Sequence, residues 1–205
     1  MDLKKLSEPF NPQDIHWRVG STNKRSRQKQ DKNAKATKGI ALAYVDARDV
    51  MNRLDDVLGP ENWQDIYDHT EPYICRIGIK IDGEWVWKSN GAGDTRVEAE
   101  KGAMSDAFKR AAVMWGIGRY LYDMPSIWVD LDQYENIEKK EYPNLAEALK
   151  RVCLENKYKT IKQKLTSCKK DELQGTWEKH IDEINDLPDA GKAALQEIWD
   201  NRTAE

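Results

Sequence analysis

Apolar residues in the stretch "YVDARDVMNRLDDVLGPENW" recur every three or four positions, at Ala47, Val50, Met51, Leu54, Val57 and Leu58. That spacing predicts an amphipathic helix, with Asp46 as its N-cap and Gly59-Pro60 as its stop. The period then changes. In "WQDIYDHTEPYICRIGIKIDGEWVWKSNG" the positions Tyr73, Cys75, Ile77, Ile79 and Ile81 alternate with more polar neighbours, as a half-buried strand requires. Asp82-Gly83 tolerates positive φ at both central positions of a tight turn, so "YICRIGIKI" and "EWVWKS" are expected to pair antiparallel, with "WQDIYD" as a third strand. A second helical period runs through "DTRVEAEKGAMSDAFKRAAVMWG". It opens on the capping-box pattern Thr95-Arg96-Val97-Glu98 and predicts a buried stripe of Val97, Met104, Phe108, Ala111 and Trp115. Lys109 and Arg110 fall beside and away from that stripe, toward solvent or a ligand. Pro143 in "EYPN" signals a loop, and three further helical patterns occupy roughly 144–166, 171–186 and 189–202.

The apolar pattern lapses in "STNKRSRQKQDKNAKATKG", residues 21–39, which cannot build a core of its own and is expected to be a mobile loop or arm. The elements together describe an α+β chain: a helix, a three-stranded antiparallel β-meander, a long helix and a helical C-terminal tail. Residues 1–135 are expected to form the core, with the basic mobile arm at about 21–39, and residues 144–205 a small helical region. A chain of 205 residues with 39% apolar content has material for one moderate core and a small second one. No stretch approaches the roughly 20 apolar residues of a membrane span, and the start lacks the apolar run of a secretory signal. A cytoplasmic protein is expected, in a bacterial cell or a phage-infected host. Cys75, Cys153 and Cys168 are odd in number and show no CxxC spacing, so they read as reduced, packed thiols rather than as a disulfide framework or a zinc site.

Net charge is only −3, yet the charges fall in blocks. From Arg18 to Lys38 the chain carries Arg18, Lys24, Arg25, Arg27, Lys29, Lys32, Lys35 and Lys38 against the single acid Asp31. A second basic run extends from Lys150 to Lys170, and an acidic end from Asp171 to Glu205 follows it. Near-neutrality on average conceals two polycationic stretches.

Gly91-Ala92-Gly93 invites a nucleotide-binding reading, but the third glycine of a dinucleotide fingerprint is Arg96 here, and the preceding strand belongs to a hairpin rather than a βαβ unit. No G-x-x-x-x-G-K-[ST] occurs. His16, His69 and His180 lie far apart, no HxE, HExxH or G-x-S-x-G pattern is present, and no carboxylate cluster of a magnesium nuclease stands out. No catalytic residue, metal or cofactor is therefore expected, and an enzyme is the minority reading. What remains is a basic surface interleaved with aromatic residues, the combination that holds single-stranded nucleic acid through phosphate contacts and base stacking.

The run "ALAYVDARDVMNRLDDVLGPENW", the meander, and then "EAEKGAMSDAFKRAAVMWGIGRYLY" resemble the Rad fifty-two/Rad twenty-two superfamily of single-strand annealing proteins. The likeness covers roughly residues 6 to 130 and is closest to the short bacterial and phage members, including the DNA-damage-response protein A type. Its most specific parts are "AYVDARDVM" and "SDAFKRAAVMWGIGRYLY". The resemblance implies that the long helix packs across the meander, and that subunits assemble into rings or helical filaments with single-stranded DNA in a basic groove. It also implies annealing of complementary strands in homologous recombination and repair without ATP or metal, and a recombinase-mediator type of role. Among partners it implies the annealed duplex intermediate, a single-strand binding protein or an exonuclease. A milder alternative is a protein that binds and shields single-stranded DNA ends without annealing them. The Lys-Arg pair with which the family's long helix grips the DNA backbone matches Lys109 and Arg110, and an aromatic before the first helix matches Tyr44. A further basic residue one turn after the pair in some members is Val113 here, so other cations are expected to compensate: Arg48, Arg96, or Lys24, Arg25 and Arg27 of the arm.

Overall fold

The computed structural model describes residues 2–68, 73–92 and 99–204. In chain order its elements are β1 (His16–Thr22), α1 (Lys24–Gln28), β2 (Lys38–Tyr44), α2 (Ala47–Leu58), β3 (Trp63–Asp68), β4 (Tyr73–Ile81), β5 (Glu84–Ala92), α3 (Ala99–Met114), β6 (Ile127–Asp130), α4 (Tyr142–Ser167), α5 (Leu173–Lys179), α6 (Ile181–Asn185) and α7 (Asp189–Ala204), with short 3-10 turns between several of them. The chain divides into two compact units, Met1–Ala146 and Glu147–Glu205.

The expected meander is present as an antiparallel sheet in the order β3-β4-β5. Its hairpin turns at Asp82 (φ 51°) and Gly83 (φ 87°), two successive left-handed positions that Asp and Gly adopt at least cost. Cys75, Ile77 and Ile79 project from one face of β4 and are fully buried, and α3 lies across β4 and β5. Burial of this kind stabilises by roughly 1.5–3 kcal/mol for each large side chain. It also pushes the Cys75 thiol up to about 12, which makes it an inert packing group. The helix contributes Ala107, Phe108, Ala111 and Ala112, all buried, and the Trp115 indole N–H donates to the Ile77 carbonyl at 3.0 Å. The three alanines let helix and sheet approach closely, so the buried stripe centres on them. Met104, expected in that stripe, is 37% exposed at its edge. Val97 and the expected capping box at Thr95 lie outside the described residues.

Asp46 caps α2 in a reciprocal box, with the Asp49 carboxylate accepting from the Asp46 N–H at 3.0 Å, and Gly59 ends the helix at φ 81°. Val50, Leu54 and Leu58 are buried, whereas Met51, also expected inside, faces solvent. Arg53 holds the N-terminal segment to α2 by donating to the carbonyls of Lys5, Glu8 and Pro9 while stacking over Phe10, 4.2 Å from the ring centroid. Its burial lowers the guanidinium's pKa, the chief cause being desolvation.

A second antiparallel sheet, in the order β1-β2-β6, was not visible in the sequence pattern. Its inner face packs Trp17, Val19, Ala41, Ile127 and Val129 into a cluster with Ala36, Leu131, Ile137 and Leu145. Residues 21–39, where the sequence led to the expectation of a mobile arm, comprise the end of β1, the five-residue α1, a series of turns and the start of β2. Polar anchors hold them in place. The Glu135 carboxylate accepts from the Ala36 N–H at 2.7 Å and pairs with Lys24 at 3.0 Å. Asn23 bonds the Thr37 hydroxyl and the Thr37 and Lys38 amides, and Arg27 donates to the Thr37 hydroxyl.

Helix α4 starts at Tyr142, in the first unit, and runs on into the second; Pro143 sits in its first turn, where a missing N–H costs nothing. In the second unit Ile161, Leu165, Leu173, Ile184, Leu187 and Leu195 form a compact core beside Trp177 and Trp199, whose rings meet at a tilt of 53°. Arg202 closes the C-terminal end of α4 by donating to the Leu165 and Cys168 carbonyls.

Candidate nucleic-acid interface

Tyr44 ends β2, two residues before the cap of α2, and lies opposite His16 of β1 in the sheet register. Its ring lies 5.5 Å from the His16 ring and 5.4 Å from the Lys109 ammonium. A contact of this cation–π type is worth roughly 0.5–1 kcal/mol at an exposed site and holds the lysine at the edge of the first sheet. Two of the residues singled out in the sequence thus meet, although one comes from a strand and the other from a helix 65 positions later. Arg110, next on α3, is exposed and bonded through Nε to the Asp106 carboxylate at 2.9 Å. That hydrogen bond is the main reason its guanidinium pKa is raised.

The other candidates separate into groups. Arg48 is exposed in the first turn of α2, with no partner among the described residues. Arg96 lies outside the described residues. Lys24, Arg25 and Arg27 belong to α1, beside the Lys38 end of β2. Six steps of strand at about 3.3 Å each put that end roughly 20 Å from Tyr44. Lys24 is engaged by Glu135 and Arg27 by Thr37, while Arg25 is exposed and unpaired among the described residues. Two further cations serve the fold: Arg119 donates to the Val113 and Met114 carbonyls and Lys88 to that of Met114, which satisfies the C-terminal end of α3.

Between Tyr44 and Lys38 the outer face of the first sheet is open. Its central strand presents Tyr44, Leu42 and Ile40, flanked by His16 and Arg18 on β1 and by Trp128 on β6. Trp128 is 53% exposed and Leu42 37% exposed. Leu42 lies over Gly20, where an added Cβ would come within 2.7 Å of its side chain. The sequence reading counted Arg18 in a basic block but assigned no role to it, His16 or Trp128. The available signal was the alternation in "HWRVGST" and "KGIALAY", which puts these side chains on one face.

Among the described residues, one group has the donors to hold an ion: His16, Asp46 and Asp49 each offer a ligand atom, all within 4.8 Å of one another. The capping box of α2 already accounts for both carboxylates, and His16 lies 3.6 Å from Asp46. Among the described residues no helix is long and apolar enough to cross a membrane.

Residues 3–141 match the family described as Rad52/22 family double-strand break repair protein. The chain is 34% identical over 147 residues to the single-stranded DNA-binding protein DdrA of Deinococcus radiodurans, an alignment covering 70% of this chain and 65% of that protein. It is 35% identical over 130 residues to the protein of the same name from Deinococcus deserti, covering 62% of this chain and 59% of the relative. The chain thus spans less than two thirds of the length of these two relatives. The match runs through both sheets, α2 and α3, and so takes in Tyr44, Lys109 and the open outer face of the first sheet: the chain belongs to the Rad52/22 family of double-strand break repair proteins.

Proposed function

We propose that this protein binds single-stranded DNA along the outer face of its first sheet and anneals complementary strands in recombination and repair, without nucleotide, metal or covalent chemistry. One observation carries the reading: Lys109 and Tyr44 meet at the edge of an open sheet face that also bears Arg18, Leu42 and Trp128. Cations there neutralise phosphates, and aromatic rings offer faces to bases. The names of the two DdrA relatives support the choice of single-stranded DNA as the ligand. Lys109, Arg110, Arg18 and Arg48 are assigned to the backbone, Tyr44 and Trp128 to stacking. Arg25 extends the track at its far end.

Annealing follows from the same arrangement. Two complementary strands repel through their phosphates, and a surface that neutralises backbones while leaving base edges free lowers that cost. Pairing then supplies roughly 1.4 kcal/mol per base-pair step, so a short seed outweighs modest protein contacts and extends without fuel. Repetition of the surface in a homo-oligomer lengthens the track. The exposed Ile66, Trp85 and Trp87 on the meander face turned away from α3 are suited to subunit contact. Such a protein works in the cytoplasm of a bacterial cell or of a phage-infected host.

The test combines oligonucleotide binding with annealing of complementary strands, for the parent and for Lys109→Ala with Arg110→Ala. The double variant is expected to keep its circular-dichroism spectrum and to lose about tenfold or more in single-strand affinity, with annealing reduced in parallel. Unchanged binding by a folded double variant sinks the placement of the track. The relatives' names mention binding and not annealing, which favours a second reading as a shield for single-stranded ends. Tight binding without faster annealing selects that reading.

A further inference from the structure

We propose that Asp106 is a positioning residue for DNA binding, one that holds the Arg110 guanidinium ready for phosphate. The inference rests on the assignment of Arg110 to the track. Asp106 lies one helical turn before Arg110 on α3, the favoured order for an acid–base pair four residues apart, and its Oδ2 accepts from Nε at 2.9 Å. Neither Nη of Arg110 donates a hydrogen bond among the described residues. A guanidinium bound this way is fixed through Nε and presents its two Nη groups outward, the edge that matches two phosphate oxygens. The main chain beneath it is held as well, since the Asn90 amide donates to the Arg110 carbonyl at 3.4 Å.

Two opposing effects of Asp106 must be weighed. Its negative charge repels a passing phosphate, but a phosphate on the Nη edge lies closer to the cation than to the carboxylate behind it, so attraction exceeds repulsion. Both side chains are about half exposed, at 48% and 46%, so solvent screens the more distant repulsion further. The gain is entropic. A free arginine loses its rotamer freedom when it grips a backbone, whereas one already held by a carboxylate has lost much of it before the ligand arrives. Lys109 reaches the same result differently, through the ring of Tyr44. The adjacent Lys-Arg pair is thereby steadied by two separate devices.

The experiment is a double-mutant cycle on the full chain, reading affinity for a fluorescein-labelled oligothymidylate at several salt concentrations. The variants are Asp106→Ala, Asp106→Asn, Arg110→Ala and Asp106→Ala with Arg110→Ala, each checked for an unchanged melting midpoint. Asp106→Ala is expected to weaken binding about threefold to tenfold, the loss of one ordered charge-assisted contact. Asp106→Asn retains an acceptor oxygen and is expected to keep affinity within about twofold of the parent. The Asp106→Ala loss is expected to vanish in the Arg110→Ala background, a pattern that a purely structural role would not produce. Equal or tighter binding by Asp106→Ala, while Arg110→Ala weakens, makes Asp106 a repulsive neighbour and overturns the proposal alone. Independent, additive losses overturn it too. Parent-like binding by Arg110→Ala overturns both this inference and the placement of the track on which it rests.

Discussion

Tyr44 shows how one side chain joins elements that the sequence keeps far apart. Its ring meets both the tilted His16 ring and the Lys109 ammonium, so its hydroxyl is less important here than its π-face. Tyr44→Phe is therefore expected to bind single-stranded DNA within about twofold of the parent, while Tyr44→Leu loses about threefold to fivefold with Lys109 untethered. Fluorescence titration of both variants measures the difference, and equal losses would reassign the role to the hydroxyl. At this scale the sequence exposed more about direction than about neighbours. Lys109 and Arg110 were readable as lying off the buried stripe because helical period sets which side chains share a face. Their partners Tyr44 and Asp106 answer different questions. Asp106 was four positions away and in principle legible, whereas the meeting of Lys109 with Tyr44 depends on how α3 docks. Met104 and Met51 mark the limit of periodicity: each fits the apolar spacing, yet each is more than a third exposed, and burial is decided by what faces the helix.

Elements joined by local geometry were the most legible. The hairpin at Asp82-Gly83 was written in two adjacent residues, and the antiparallel register of β4 with β5 follows from that turn. The sheet β1-β2-β6 was hidden for the opposite reason. β2 is built largely of small residues in "KGIALAY", and its second partner, β6, lies about ninety positions further along the chain. The bonding of residues 21–39 was hidden too, because apart from the buried Ala36 it runs through polar groups, Asn23, Thr37 and the distant Glu135. Glu135 carries a depressed pKa, caused first by the Ala36 N–H and then by Lys24. A carboxylate whose folded-state pKa is lowered contributes stability above its unfolded pKa and loses it as pH falls through the folded one. Hydrogen exchange at the Ala36 and Thr37 amides, corrected for its intrinsic pH dependence, is thus expected to speed up only below the usual carboxylate range. Glu135→Ala should show that faster exchange already at neutral pH. Glu135→Gln, which can still accept from the Ala36 N–H, should fall between the two. Exchange in Glu135→Ala indistinguishable from the parent at pH 7 would mean that the segment is held by something else.

For the whole molecule, the question is whether a protein of net charge −3 attracts a polyanion through its overall charge or through one face. Overall charge acts over distances set by screening, about 30 Å at 0.01 M salt but only about 8 Å at 0.15 M. Near physiological salt, only cations that touch phosphate matter, and the binding constant falls with salt in proportion to their number, at about 0.7 in the logarithmic slope per contact for single strands. The acidic end of the second unit offers a control. Asp171, Asp182 and Glu197 are exposed and have no ion-pair partner among the described residues, so replacing them by Asn, Asn and Gln alters net charge with little effect on the fold. Removing these three negative charges is expected to raise the association rate several-fold at 0.01 M salt and to change affinity by less than about twofold at 0.15 M. Lys109→Ala with Arg110→Ala should instead weaken binding at both salt concentrations and reduce the logarithmic slope by about 1.4, two contacts' worth. Stopped-flow rates and a salt series on the two variants read these quantities directly. If neutralising the acids changes affinity at 0.15 M as much as removing the Lys-Arg pair does, the face beside Tyr44 is not what recognises DNA.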